Sequence, residues 1–165
     1  MADPRIFIFD MDHTLINADC DVTWKSYGVK HGIAPADALE RADAFFDQYN
    51  AGTLDPQEFM HFQFSEFIGN TPGEMAVHAK RHFEEFILPN YYQKAKQVVD
   101  SLLACHMPVA ILTSTNDVLA RPVADFFGID TVMGTRLEVE HGVYTGRIVG
   151  EYLSLIHISE PTRQE

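Results

Sequence analysis

The chain has 165 residues, 46% of them hydrophobic and 12% aromatic, enough to bury the core of one domain carrying an insert. Its net charge of −12 excludes nucleic acid or an anionic membrane surface as the main partner. Cys20 and Cys105 are unspaced thiols, no start-of-chain leader or membrane-length apolar run is visible, and the eight His show no zinc-ligand spacing, so the sequence predicts a cytoplasmic protein with reduced cysteines.

The first predicted element is the strand Ile6-Phe7-Ile8-Phe9, apolar on both faces as in a buried parallel sheet. It ends in Asp10-Met11-Asp12-His13-Thr14. Ligands of open α/β sheets bind just beyond the carboxyl ends of strands, which is where Asp10 and Asp12 are expected. Two carboxylates this close repel and call for a hard divalent cation with oxygen ligands, for which Mg²⁺ is suited. One can then attack phosphorus while the other moves a proton; the bland alternative is a polar turn.

A gap far longer than a βα connection follows, which predicts an inserted helical module. Ala36 to Tyr49 places Leu39, Ala42, Phe45, Phe46 and Tyr49 at helical spacing, with Gly52 past its end. Asp55-Pro56 caps and opens a second helix, and Thr71-Pro72-Gly73-Glu74 has capping-box spacing ahead of Met75 to Ile87. Aromatic residues of the insert, Trp24 and Phe62 among them, are read as its core, with a substrate pocket as the alternative. His61 and His78 are expected at the surface.

Tyr92 to Cys105 predicts an amphipathic helix feeding the strand Val109 to Thr113. A hydroxyl and free N–H groups at that strand's end suit a phosphate oxygen, and Asn116 caps the helix Val118 to Phe127, closed by Gly128. Ile129 to Met133 is the next strand. Leu137 to Glu140 and Val143 to Val149 form a hairpin across His141-Gly142, with Glu138 and Glu140 on a solvent face. Alternating strands and helices predict an α/β protein with a three-layer, parallel-sheet core.

The string D-M-D-H-T-L after a strand, with the apolar strand ending at Thr113, resembles the haloacid-dehalogenase-like superfamily, and the extended context resembles its IB subclass of phosphoserine phosphatase-like enzymes. The resemblance spans about residues 5 to 150. It implies a Rossmann-like core over 1–16 and 89–150, with a helical cap at 17–88 hinged near Asn17 to Asp21 and Leu88 to Asn90. It implies Asp10 as nucleophile, Asp12 as general acid/base, and a phosphate site of Met11, Thr14, Thr113, Ser114 and Asn116. Mg²⁺ would be held by Asp10 and the Asp12 carbonyl, and the substrate would be a small phosphorylated metabolite; which one, and the oligomeric state, stay open. The sequence departs from the family where a later Lys and acidic motif are expected: the last Lys is Lys96 and the last Asp is Asp130. Residues 151–165 are expected to be a non-native tail, the alternative for Leu153 to Ile158 being a native strand. The departure leaves open a non-catalytic phosphate-binding or regulatory protein, or an inactive fragment; a phosphotransferase is a further alternative.

Overall fold

The computed structural model describes residues 6–150; the expectations for residues 151–165 lie outside them. Three parallel strands, β1 (Phe7–Phe9), β2 (Val109–Asn116) and β3 (Thr131–Thr135), form a sheet in the order β1-β2-β3. Phe9 is in register with Ile111, and Ile111 with Val132. The helices are α1 (Cys20–His31), α2 (Ala38–Ala51), α3 (Pro56–Gln63), α4 (Pro72–His82), α5 (Gln93–Ala104) and α6 (Asp117–Phe127). An antiparallel hairpin, β4 (Leu137–Glu140) and β5 (Val143–Ile148), follows β3. No helix among the described residues is long and apolar enough to cross a membrane.

The expected α/β architecture is present, and the caps that announce its helices act as the sequence suggests. Asp55 accepts from Gln57 and Glu58 N–H ahead of Pro56, and the Thr71–Glu74 capping box is closed in both directions. Asn116 opens α6, while Gly52 and Gly128 end α2 and α6 at positive φ. Helix α1 has no counterpart in the sequence reading. Its buried positions are Cys20, Trp24, Lys25, Tyr27 and Gly28, and a lysine and a glycine on the inward face blur the apolar period.

Two apolar clusters hold the molecule. In the first, Met11, Leu15, Ile111, Val99, Val123 and Phe127 join the sheet to α5 and α6. In the second, Trp24, Tyr27, Phe64, Phe67 and Met75 of the helical insert pack with Leu119 of α6 and Leu137 and Tyr144 of the hairpin. The insert therefore shares a core with the elements that follow β2. Its base is stapled where the chain leaves and returns: Asn17 N–H donates to Asn90 O at 2.7 Å, and Tyr92 N–H to Leu15 O at 3.0 Å.

Strand β1 differs from expectation. Ile6 is 54% exposed and Ile8 51%, so the strand is not buried on both faces. It pairs with β2 on one edge, and no other strand among the described residues pairs with the other.

Candidate functional site

The site begins where β1 stops. Asp10 follows Phe9 directly, and its Oδ1 accepts from the Met11 N–H at 2.8 Å. The chain then turns tightly, because Met11 O accepts from the N–H groups of Thr14, Leu15 and Ile16 at 3.2, 2.9 and 3.3 Å. Thr14 thus closes the loop through its backbone, with its side chain exposed. The Met11 side chain is fully buried in the first cluster, anchoring the loop between the two carboxylates. His13 carries the turn at φ 56°.

Both oxygens of the Asp12 carboxyl are held. Thr115 Oγ1 donates to Oδ2 at 2.7 Å, and the Cys20 N–H donates to Oδ1 at 3.1 Å. Burial raises the pKa of Asp12 and the nearby Asp19 adds to it, against the lowering effect of the Thr115 bond. Burial likewise pushes the Cys20 thiol well above its usual range, with the Asp12 charge as a further cause. Two more carboxylates stand close by on α1. Asp19 caps the helix by accepting from Asp21 and Val22 N–H, and the Asp21 carboxyl is pushed up to about 7 by burial, then by Asp19 and Asp12.

The register of β1 with β2 puts Thr113, two residues past Ile111 and within β2, on the strand beside the end of β1, where Asp10 follows Phe9. Thr113 is 2% exposed, and its Oγ1 accepts from the Thr115 N–H at 3.2 Å, which leaves its own hydrogen free to be donated. Ser114 is half-buried, and its carbonyl accepts from Thr135 Oγ1 at 2.7 Å. Asn116 caps its helix: its Oδ1 accepts from the Leu119 N–H at 3.1 Å. A bound anion would meet the positive end of α6 here, with the Thr113 hydroxyl beside it.

Thr115 and Cys20 were not singled out by the sequence. A signal for Thr115 exists, since Thr113 and Thr115 alternate along one strand and share a face. For Cys20 there is none, because its backbone N–H does the work. Among the described residues no three His, Cys, Asp or Glu side chains gather to hold a metal. A cavity of about 680 Å³ between α4 and α6, lined by Lys80, Phe83, Asp117, Arg121 and Phe126 among others, contains neither Asp10 nor Asp12.

Comparison with known proteins agrees with this geometry. The family described as haloacid dehalogenase-like hydrolase matches residues 7–156. A histidinol-phosphatase from Neisseria meningitidis is 32% identical over 148 residues, covering 88% of this chain and 67% of that protein. Phosphoserine phosphatase SerB1 from Mycobacterium tuberculosis is 25% identical, over 88% of this chain and 48% of its own length. The chain thus spans about two thirds of one relative and about half of the other. Among solved structures, a protein of unknown function from Bordetella pertussis Tohama I superposes with a TM-score of 0.80 at 33% identity, covering 88% of this chain and 67% of that one. A phosphoserine phosphatase captured as a phospho-aspartyl intermediate analogue shares the fold, with a TM-score of 0.57 at 20% identity over 90% of this chain and 64% of its own.

Proposed function

The chain belongs to the haloacid dehalogenase-like hydrolases, and on that premise we propose that the protein is a phosphatase that acts on small phosphomonoesters through an aspartyl-phosphate. The observation that carries this reading is the Asp10–Asp12 pair at the end of β1, with Asp12 fixed by two hydrogen bonds and Thr113 on the adjoining strand. In the first step an Asp10 oxygen bonds to phosphorus as the ester P–O bond breaks, and Asp12 gives its proton to the departing oxygen. In the second, Asp12 takes a proton from water, the water oxygen bonds to phosphorus, and the Asp10 O–P bond breaks to release inorganic phosphate. Both carboxyl groups return to their starting states. The Thr113 hydroxyl and the N-terminal end of α6 hold the phosphate oxygens.

The described donors suit Mg²⁺ in kind: the Asp10 carboxylate and the Asp12 carbonyl are hard oxygen ligands, and Mg²⁺ commonly binds through one or two carboxylates, phosphate and water. When bound there it would neutralise charge on the phosphate. Residues 17–88 act in this reading as a cap that covers the site and sets specificity, hinged where Asn17 and Asn90 meet. The substrate is of the kind the names histidinol-phosphatase and phosphoserine phosphatase describe.

The test is hydrolysis of p-nitrophenyl phosphate in Mg²⁺ by the whole protein and by Asp10→Asn. Loss of the nucleophile lowers kcat by roughly 10³-fold or more. A variant as active as its parent removes Asp10 from the reaction. No hydrolysis together with phosphate protection against thermal unfolding would support phosphate binding without turnover instead.

A further inference from the structure

We propose that Thr115 is a positioning residue of this site, its hydroxyl fixing the Asp12 carboxyl for proton transfer to the leaving oxygen; the inference rests on the phosphatase reading above. Thr115 is 1% exposed and lies 103 residues from Asp12 in the chain, yet its Oγ1 meets Asp12 Oδ2 at 2.7 Å. With the Cys20 N–H on Oδ1 at 3.1 Å, one lone pair of each carboxyl oxygen is occupied and the plane of the group is set. A general acid contributes only when its oxygen is within hydrogen-bond reach of the atom it protonates, so orientation is part of its rate.

Thr115 is itself held by the strands. The β2–β3 pairing shifts register between Leu112 and Asn116, and an irregularity of this kind re-aims side chains at a strand end. The Thr115 N–H donates back to Thr113 Oγ1 at 3.2 Å, and Thr135 Oγ1 grips the neighbouring Ser114 carbonyl at 2.7 Å. On β3, Gly134 lies so close that a Cβ there would stand 2.8 Å from Thr115 O and 3.1 Å from Asp117 N. The missing side chain of Gly134 makes room for the Thr115 peptide, and the peptide sets the direction of the hydroxyl. A core strand two places from Asp10 thereby reaches the proton donor.

The leaving group separates positioning from mere packing. An alkyl alkoxide needs the proton of Asp12 to depart, whereas p-nitrophenolate leaves largely without it. The experiment measures kcat/KM of the whole protein on n-propyl phosphate and on p-nitrophenyl phosphate for Thr115→Val, Thr115→Ser and Gly134→Ala, with the thermal midpoint of each variant. Thr115→Val should lose about 10- to 100-fold on the propyl ester, a part of what proton transfer contributes, and several-fold less on the nitrophenyl ester. Thr115→Ser, which keeps the hydroxyl, should restore the propyl ester rate to within about threefold by the same argument. Gly134→Ala should repeat the valine pattern in weaker form, and it carries the test where Thr115→Val does not fold. Equal losses on both esters, or a serine variant as poor as the valine one, overturn the inference while leaving the phosphatase reading standing. A parent that hydrolyses neither ester overturns both.

Discussion

His13 occupies the left-handed region at φ 56° in the turn between the two acids, where glycine would be unstrained. The turn demands it, since three successive N–H groups converge on Met11 O. A non-glycine residue there costs on the order of 1 kcal/mol, and a β-branched one more. His13→Gly should therefore equal or exceed the parent in urea midpoint, and His13→Val should lose about 1–2 kcal/mol. A valine variant of parental stability would show that the turn is not under strain. The acids themselves are legible in the sequence, because an apolar run that stops in D-x-D can be recognised locally. Thr115 is less legible: its alternation with Thr113 marks a shared face, but its contact with Asp12 spans 103 residues, and nothing local says which distant group meets its hydroxyl. Asn116 was readable as a cap, and its Oδ1 serves as one.

The helices whose ends carry strong signals, Asp55-Pro56, Thr71 with Glu74, and Asn116 with Gly128, are those the sequence displays. Helix α1 stays hidden because tertiary contacts, not an apolar stripe, hold its inward face. Its Lys25 is 1% exposed, and Nζ donates to Glu66 Oε1 and Oε2 at 2.8 and 2.7 Å and to the Phe62 carbonyl at 2.6 Å. One side chain thus binds the end of α3 and neutralises a buried acid, and desolvation lowers its own pKa against the raising effect of Glu66. Removing one member of such a pair leaves a buried charge alone. Glu66→Ala should cost about 3 kcal/mol, and Glu66→Gln less because it keeps an acceptor for Nζ. Urea unfolding measures both; an alanine variant within about 0.5 kcal/mol of its parent would mean the pair contributes no more than an exposed one. The exposed faces of β1 were misread for a related reason, since two-sided apolarity in a strand does not say what covers it.

Over the whole molecule, two buried groups give stability opposite responses to acid. His82 is 1% exposed, and its Nε2 lies 2.9 Å from Thr23 Oγ1. The Thr23 hydroxyl has Asp19 O at 2.8 Å and Cys20 O at 3.2 Å as acceptors, an arrangement that suits the neutral imidazole with Nε2 donating to Thr23. Burial depresses the imidazole from 6.5 to about 4, with Glu85 opposing weakly. Its contribution is complete above pH 6.5 and is lost as pH falls to about 4, because only the unfolded chain binds the proton in that window. That loss is bounded by about 3 kcal/mol. Asp21 runs the other way. Its folded pKa is raised from 3.8 to about 7, so its contribution is present below 3.8 and is lost as pH rises through about 7. Between about pH 4 and 6.5 the two slopes oppose, and the parent's stability should vary less than either group alone would dictate. Substitution uncovers each slope. On acidification across this window, the urea midpoint of His82→Gln should rise relative to the parent, leaving Asp21 unopposed, and that of Asp21→Asn should fall. The remaining carboxylates titrate in all three proteins and cancel from the comparison. Midpoints that shift by a constant amount at every pH would show that neither group changes its proton affinity on folding.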